Sequence, residues 1–376
     1  MLELMNIPNK RLIEVFNKQS TDYYKAGENK DQKSEHWKSR YRLKKFTIEN
    51  IINFRSNDLS EGLDDSATEV AGEFPFRVYA EVVNETSEEY VLSNLPKKNI
   101  GNSKAFIKYK NTFLDYNKLI HIHWFNDIEK NVLNNNQILN FCEIGGGFGS
   151  FAELFIRNYN LKFLSIDLPE ANVMSSYYLK ENFPDKNFYL YDDYKKNNYL
   201  SYEDFLANDI IILPPNLDID PKIKIDLFIN SRSMMEMNFK IIKSYFGFIQ
   251  KHVGEDGFFL NINRYEKTSV GEKIRISEYP YDENWRVIKS KPSFEQNWVH
   301  FLLTKRSVNQ QEKNIKDELK KIKQIENLYY GKYIDNNPSL IKNRLRKSLK
   351  LIFGKKFLNF LGSFLISIGN IIKRLT

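Results

Sequence analysis

The sequence predicts an α/β fold, a doubly wound, Rossmann-like sheet with a helical N-terminal region and a C-terminal amphipathic helical tail. Three observations predict it: a glycine-rich turn after an apolar run, short apolar runs alternating with helical segments from Gln137 onward, and a final pair of β-like runs with no helix between them. Residues 138–144 read as the first strand and 149–158 as the helix after it. Residues 161–167 and 170–182 repeat the pattern, and 209–213 is preferred over 187–191 as the third strand. Residues 226–230 form the fourth strand, 234–252 a helix and 257–263 the fifth strand. Residues 285–289 and 298–304 close the sheet as a hairpin.

The 376-residue chain exceeds one ordinary core, so three parts are expected. These are a helical lid or acceptor region (1–110), the α/β domain (111–306) and a basic tail (307–376). Helix-like runs fall at 9–19, 37–54 and 112–133, and the polar stretch 55–72 reads as a loop. The chain is 41% hydrophobic and 28% charged, which suits a soluble globular protein. Its net charge of +8 resides in the tail, where 15 Lys and Arg oppose 5 Asp and Glu, leaving −2 for the rest. A near-neutral body lacks the cationic surface of a nucleic-acid enzyme, so no nucleic-acid partner is expected. The single cysteine, Cys142, rules out an internal disulfide and a four-cysteine zinc site. The start of the chain lacks a secretory pattern, and a cytoplasmic location is expected.

The glycine turn carries the chemistry. Gly145, Gly147 and Gly149 follow an apolar strand and precede a helix, where missing Cβ atoms let the backbone turn tightly against a ligand. Their spacing is ambiguous, because Gly147, Gly149 and Ala152 also satisfy the dinucleotide fingerprint. Glu143 favours one answer: its carboxylate suits the sulfonium and amino group of S-adenosylmethionine and would repel the pyrophosphate of NAD. Asp167, at the end of the second strand, is placed to accept ribose hydroxyls of either cofactor. The terminal hairpin agrees with S-adenosylmethionine, since it is the ending of the seven-stranded class I methyltransferase sheet, whereas dinucleotide dehydrogenases usually continue with further βα units.

The run Phe-Cys-Glu-Ile-Gly-Gly-Gly-Phe-Gly-Ser at 141–150, followed by Leu-Ser-Ile-Asp-Leu-Pro-Glu at 164–170, resembles the bacterial sugar O-methyltransferase family. The blocks 229–237 and 263–266, and the stretch 54–65, share the resemblance, which spans roughly residues 35–306. It implies methyl transfer from S-adenosylmethionine to a hydroxyl of a nucleotide- or lipid-linked sugar in surface-glycan assembly.

An alcohol gains from a base during methyl transfer, and His121, His123 and Glu236 are the candidates. Glu236 follows the fourth strand, where open α/β sheets bind ligands, although Ser233-x-x-Glu236 also matches a helix capping box. Arg232 shares that edge, and Arg264 with Tyr265 holds the equivalent position after the fifth strand, so these three are candidate acceptor-binding residues. His252 is read as a helix-terminus residue and His300 as a packing residue. Asp192 and Asp193 could offer oxygen ligands to a divalent metal, but a solvated pair is the favoured reading. In the tail, apolar positions from Phe353 to Leu375 follow helical spacing, and the segment from Lys342 to Lys356 is basic. That pattern predicts an amphipathic helix on the inner face of the cell membrane, with docking on protein as the alternative. An NAD-linked sugar oxidoreductase and a non-catalytic membrane-associated adaptor are the rival functions.

Overall fold

The computed structural model describes residues 2–25, 46–56, 74–103, 106–268, 272–293, 299–307 and 314–336. The expected amphipathic tail helix with its basic run, the first part (37–45) of the helix expected over 37–54, and nearly all of the polar loop after Arg55 lie outside these residues. The chain divides into two compact units, Met1–Ile322 and Lys323–Thr376, and the sheet belongs to the first. No helix among the described residues is long and apolar enough to cross a membrane.

Helices α1 (Leu2–Lys25), α2 (Ile48–Ile52), α3 (Phe74–Glu85) and α4 (Glu88–Asn94) precede a short hairpin, β1 (Ile107–Tyr109) and β2 (Thr112–Leu114). The helix expected over 112–133 therefore starts later. It is α5 (Tyr116–Ile128), capped by the Asp115 carboxylate on the Lys118 N–H at 2.8 Å, and it runs into a π turn, Glu129–Leu133. Next come β3 (Asn140–Ile144), α6 (Ala152–Tyr159), β4 (Lys162–Ile166), α7 (Pro169–Asn182), β5 (Phe188–Tyr189), α8 (Tyr191–Asn197), α9 (Tyr202–Ala207), β6 (Ile210–Leu213) and β7 (Ile225–Ser231). The chain continues with α10 (Phe239–His252), β8 (Val253–Arg264), β9 (Glu266–Lys267), β10 (Ile274–Arg275), β11 (Trp285–Pro292), β12 (Val299–Arg306) and α11 (Ile315–Asn336).

The main sheet has the order β11-β12-β8-β7-β3-β4-β6-β5, with β12 antiparallel to both neighbours and the other strands parallel. Both candidates for the third strand thus enter the sheet. The preferred one is β6, whose Ile-Ile-Ile-Leu run is buried throughout, and the two-residue β5 adds an edge, so the sheet has eight strands among the described residues. The terminal hairpin forms as expected, and β12 inserts between β11 and β8.

Side-chain alternation sets the two faces. Phe141 and Phe163 stack at 4.7 Å on one face, and Phe141 meets Phe155 of α6, which in turn meets Phe125 of α5. Phe228 and Phe259 lie on the other face against Phe248 and Phe246 of α10. Each such ring, once buried, contributes about 1.5–3 kcal/mol. The chain builds β4 and β6 to one side of β3, then β7 and β8 to the other, so the direction of winding reverses between β3 and β7. That switch point is where a parallel sheet opens a crevice beyond its carboxyl ends.

Candidate functional site

The glycine turn and the segment after β7 meet at this switch point. Gly145 has φ +70° and donates its N–H to Ile166 O at 2.9 Å. A Cβ there would lie 1.8 Å from Ser233 Oγ, so only glycine lets the two loops approach this closely. Gly147, at φ +62°, donates its N–H to Asp167 Oδ2 at 2.8 Å, while Leu168 N–H bonds Asp167 Oδ1 at 2.7 Å. Gly149, also at positive φ, leads into α6.

Two carboxyls, the buried Glu143 and the half-buried Asp167, stand beside the turn. Glu143 is 1% exposed; Ser231 Oγ approaches its Oε1 at 3.4 Å, while Oε2 has no hydrogen-bond partner. Burial, reinforced by the nearby Asp167 carboxylate, pushes Glu143 up to about 8. Burial also raises the half-buried Asp167 to about 7, against its two backbone hydrogen bonds. The Tyr23 hydroxyl of α1 is raised by burial and then by Glu170 and Asp167, and its neighbour Tyr24 donates to both oxygens of Glu170 at 2.9 Å. An orphaned buried carboxylate oxygen beside a glycine turn fits a cationic group, and the Asp167 carboxylate fits hydroxyls. The residues present therefore suit S-adenosylmethionine.

On the α5 side, Asn117, His121 and Trp124 follow the i, i+4, i+7 spacing of one helix face. The Arg232 Nη2 donates to Asn117 Oδ1 at 2.9 Å, and its guanidinium carbon sits 5.5 Å from the Trp124 ring centroid. Arg232 itself is in the left-handed region, φ +57°, anchored by its N–H to Ile262 O at 2.7 Å. A non-glycine residue held there stores strain, which marks the position as built rather than incidental. The His121 ring stacks on Phe151, centroids 5.0 Å apart. Under this face Arg55 pairs with Asp115, while Lys118 pairs with Glu153 and donates to Ser150 O at 2.6 Å. Both pairs are buried; the first braces the start of α5, which Asp115 caps, and the second the start of α6.

The remaining sequence candidates separate from this cluster. His123 lies two positions from His121 on α5, which turns it by about 200°. It is 1% exposed, with Nδ1 3.3 Å from Glu85 Oε2 and Nε2 3.9 Å from Asp127 Oδ2, and burial lowers it to about 4. Glu236 does not cap a helix: Ser233 makes no capping bond, and residues 234–236 form one 3-10 turn before α10 starts at the Asn238 cap. Its Oε1 accepts from Lys267 Nζ at 2.7 Å. Tyr265 corrects the acceptor-binding reading, because it is 1% exposed and its hydroxyl is bonded to His300 Nδ1 at 2.9 Å, with Ser290 Oγ on His300 Nε2 at 2.8 Å. Arg264, at the end of β8, is half-buried. His252 Nδ1 lies 3.0 Å from Ile223 O, a structural role as expected. Asp192 and Asp193 pair with Arg11 and Lys196, and no group of three or more His, Cys, Asp or Glu side chains that could hold a metal occurs among the described residues.

Sequence reasoning missed an amide network. Asn230 Nδ2 donates to Ile144 O at 2.7 Å, Asn263 Nδ2 donates to Asn230 Oδ1 at 2.8 Å, and the oxygens of Asn230 and Asn263 accept from Met234 N–H and Met235 N–H. All of this is buried, so the segment after β7 is fixed against the glycine turn by paired amides. Asparagines at the ends of the fourth and fifth strands were the available signal.

No protein-family profile matches the chain, and no curated protein sequence matches it. Among solved structures it is similar to the pyocyanin biosynthetic protein PhzM (10% identity, 51% of this chain and 58% of that one, TM-score 0.32). It is also similar to the mitomycin 7-O-methyltransferase MmcR (14% identity, 51% and 57%, TM-score 0.31). A third is the N-methyltransferase NodS from Bradyrhizobium japonicum WM9 in complex with S-adenosyl-l-homocysteine (10% identity, 50% and 88%, TM-score 0.33). The matched region spans under two thirds of the first two proteins, and likenesses this slight assign neither a reaction nor an acceptor.

Proposed function

We propose that this chain binds S-adenosylmethionine at the glycine turn and transfers its methyl group to a hydroxyl of a nucleotide- or lipid-linked sugar in surface-glycan assembly. The observation that carries the cofactor half is the junction of Gly145–Gly149, Glu143 and Asp167 at the switch point of a sheet that ends in an antiparallel strand. Glu143 would face a cationic centre through its unpartnered oxygen, and Asp167 would accept hydroxyls while fixing Gly147 N–H. When bound, S-adenosylmethionine supplies an electrophilic sulfonium methyl to the acceptor oxygen, the carbon–sulfur electrons returning to sulfur. The chain's contribution is alignment and exclusion of water, which provides much of the rate in such a displacement. Arg232, held over Trp124, would orient the acceptor. The sugar itself rests on the sequence resemblance. The dinucleotide alternative also satisfies the glycine spacing but sets the buried Glu143 against a pyrophosphate.

Calorimetry with S-adenosylmethionine and with NAD tests this directly. The sulfonium cofactor is expected to bind, and Asp167→Ala to weaken it about 10- to 100-fold by leaving polar groups unpaired. Binding of NAD alone would sink the proposal. Mass spectrometry of glycan precursors incubated with the protein and labelled cofactor tests the acceptor, for which a methyl increment on a sugar is the expected result.

A further inference from the structure

Three groups could take a proton from the acceptor, and the structure distinguishes them. Glu236 is engaged by Lys267, and His123 is enclosed by Glu85 and Asp127. His121 lies on the face of α5 that Arg232 covers and stacks on Phe151, two residues beyond the last glycine of the turn.

The ring nitrogens of the other packing histidines show what a structural imidazole looks like in this protein. His252 bonds a backbone carbonyl through Nδ1, His300 is bonded at both nitrogens, and His123 has the Glu85 and Asp127 carboxylates 3.3 and 3.9 Å from its nitrogens. His121 Nδ1, by contrast, is buried without a hydrogen-bond partner, and the ring faces no carboxylate within ion-pair distance among the described residues. A buried nitrogen left without a partner costs free energy, and the cost is least when that nitrogen carries the lone pair instead of the proton.

We propose that His121 is the general base of the methyl transfer, receiving the acceptor hydroxyl proton on Nδ1; this rests on the methyl-transfer reading of the site. As the acceptor oxygen bonds to the methyl carbon, its O–H bond breaks and the proton moves to the Nδ1 lone pair, to be released to water after the methylated product leaves. Burial, then the charges of Arg232, Lys118 and Arg55, holds the imidazole well below its usual titration range, so the lone pair is present at neutral pH. Of these cations Lys118 and Arg55 are locked to carboxylates, and Arg232 reaches across the same helix face from the end of β7.

The test uses the full-length wild type and His121→Gln. S-adenosylhomocysteine affinity is read by calorimetry, and transfer by label passing from methyl-tritiated S-adenosylmethionine to a mixture of uridine- and thymidine-diphosphate hexoses. Nitrogen-15 NMR of histidine-labelled wild type reports which ring nitrogen carries the proton. His121→Gln is expected to bind S-adenosylhomocysteine within about twofold of wild type and to transfer methyl at least ~100-fold more slowly. Nδ1 of His121 is expected to be unprotonated at neutral pH. Transfer by His121→Gln at the wild-type rate, or a proton on Nδ1 in the wild type, overturns the assignment and leaves the cofactor site standing. Wild type that fails to bind S-adenosylhomocysteine overturns the functional reading and the base with it.

Discussion

On the Asp167 side of the glycine turn, Glu143 and Asp167 are poorly hydrated carboxyls that make no ion pair among the described residues, and both are pushed up in pKa. On the α5 side the buried charges come in matched pairs, Arg55 with Asp115 and Lys118 with Glu153, and His121 on the same helix is pushed down by burial and the nearby cations. The difference separates support from recognition. Paired charges brace the starts of α5 and α6 with no net charge, whereas unpaired carboxyls weaken the ligand-free protein and gain a partner when a cationic ligand arrives.

Removing one member of a matched pair should give the largest effect. Arg55→Ala leaves Asp115 buried without its cation and is expected to lower unfolding free energy by about 3–5 kcal/mol in chemical denaturation. Glu143→Gln should go the other way, stabilising the ligand-free protein at alkaline pH by about 1–3 kcal/mol while weakening S-adenosylmethionine binding. If both variants destabilised equally, the contrast between the two flanks would collapse.

pH sharpens the same contrast without mutation. Glu143, with a folded value of about 8 against an ordinary 4.5, holds its proton longer in the folded state. The folded state then binds more protons than the unfolded chain, so its contribution to stability falls as pH rises from about 4.5 to about 8. His121 has the opposite sign: depressed below 6.5, it is protonated only in the unfolded chain, and stability is lost as pH falls below 6.5. Thermal denaturation across this range should show a decline toward alkaline pH that Glu143→Gln flattens. His121→Gln should instead flatten the acid side. Cofactor affinity should rise with pH as Glu143 and Asp167 ionise.

The cofactor flank was legible in the sequence because its parts are local: a strand, glycines at fixed spacing and an acidic residue at the end of the next strand. The hairpin ending was equally readable, since period-2 runs without an intervening helix leave few alternatives. The acceptor flank depends on relations that one sequence does not display. His121 and His123 are equivalent by composition, and only the rotational phase of α5 turns one to Arg232 and the other to Glu85. The Ser233-x-x-Glu236 pattern suggests a helix start, but residues 234–236 make a single turn before Met237 becomes extended and Asn238 caps α10, while the amides of Asn230 and Asn263, brought together by the pairing of β7 with β8, hold the N–H groups of Met234 and Met235. Tyr265 reads as an edge residue in the sequence, but β12 sets His300 opposite Asn263, where its Nδ1 meets the Tyr265 hydroxyl.

The smallest expected effect concerns a charge pair that belongs to neither flank. Arg11 Nη2 lies 3.0 Å from Asp192 Oδ2, with side-chain exposures of 54% and 29%, so the pair joins α1 to α8 largely in solvent. Screening and side-chain entropy limit such a contact to about 0–1 kcal/mol, and Asp192→Asn should shift the denaturation midpoint only slightly. Because Arg11 and Lys196 already occupy the carboxylates of Asp192 and Asp193, removing divalent ions with EDTA should leave both cofactor affinity and methyl transfer unchanged. A metal requirement restored by magnesium and abolished by Asp192→Asn would show that these carboxylates exchange their cationic side chains for an ion, and would add a third way of handling charge to the two seen around the turn.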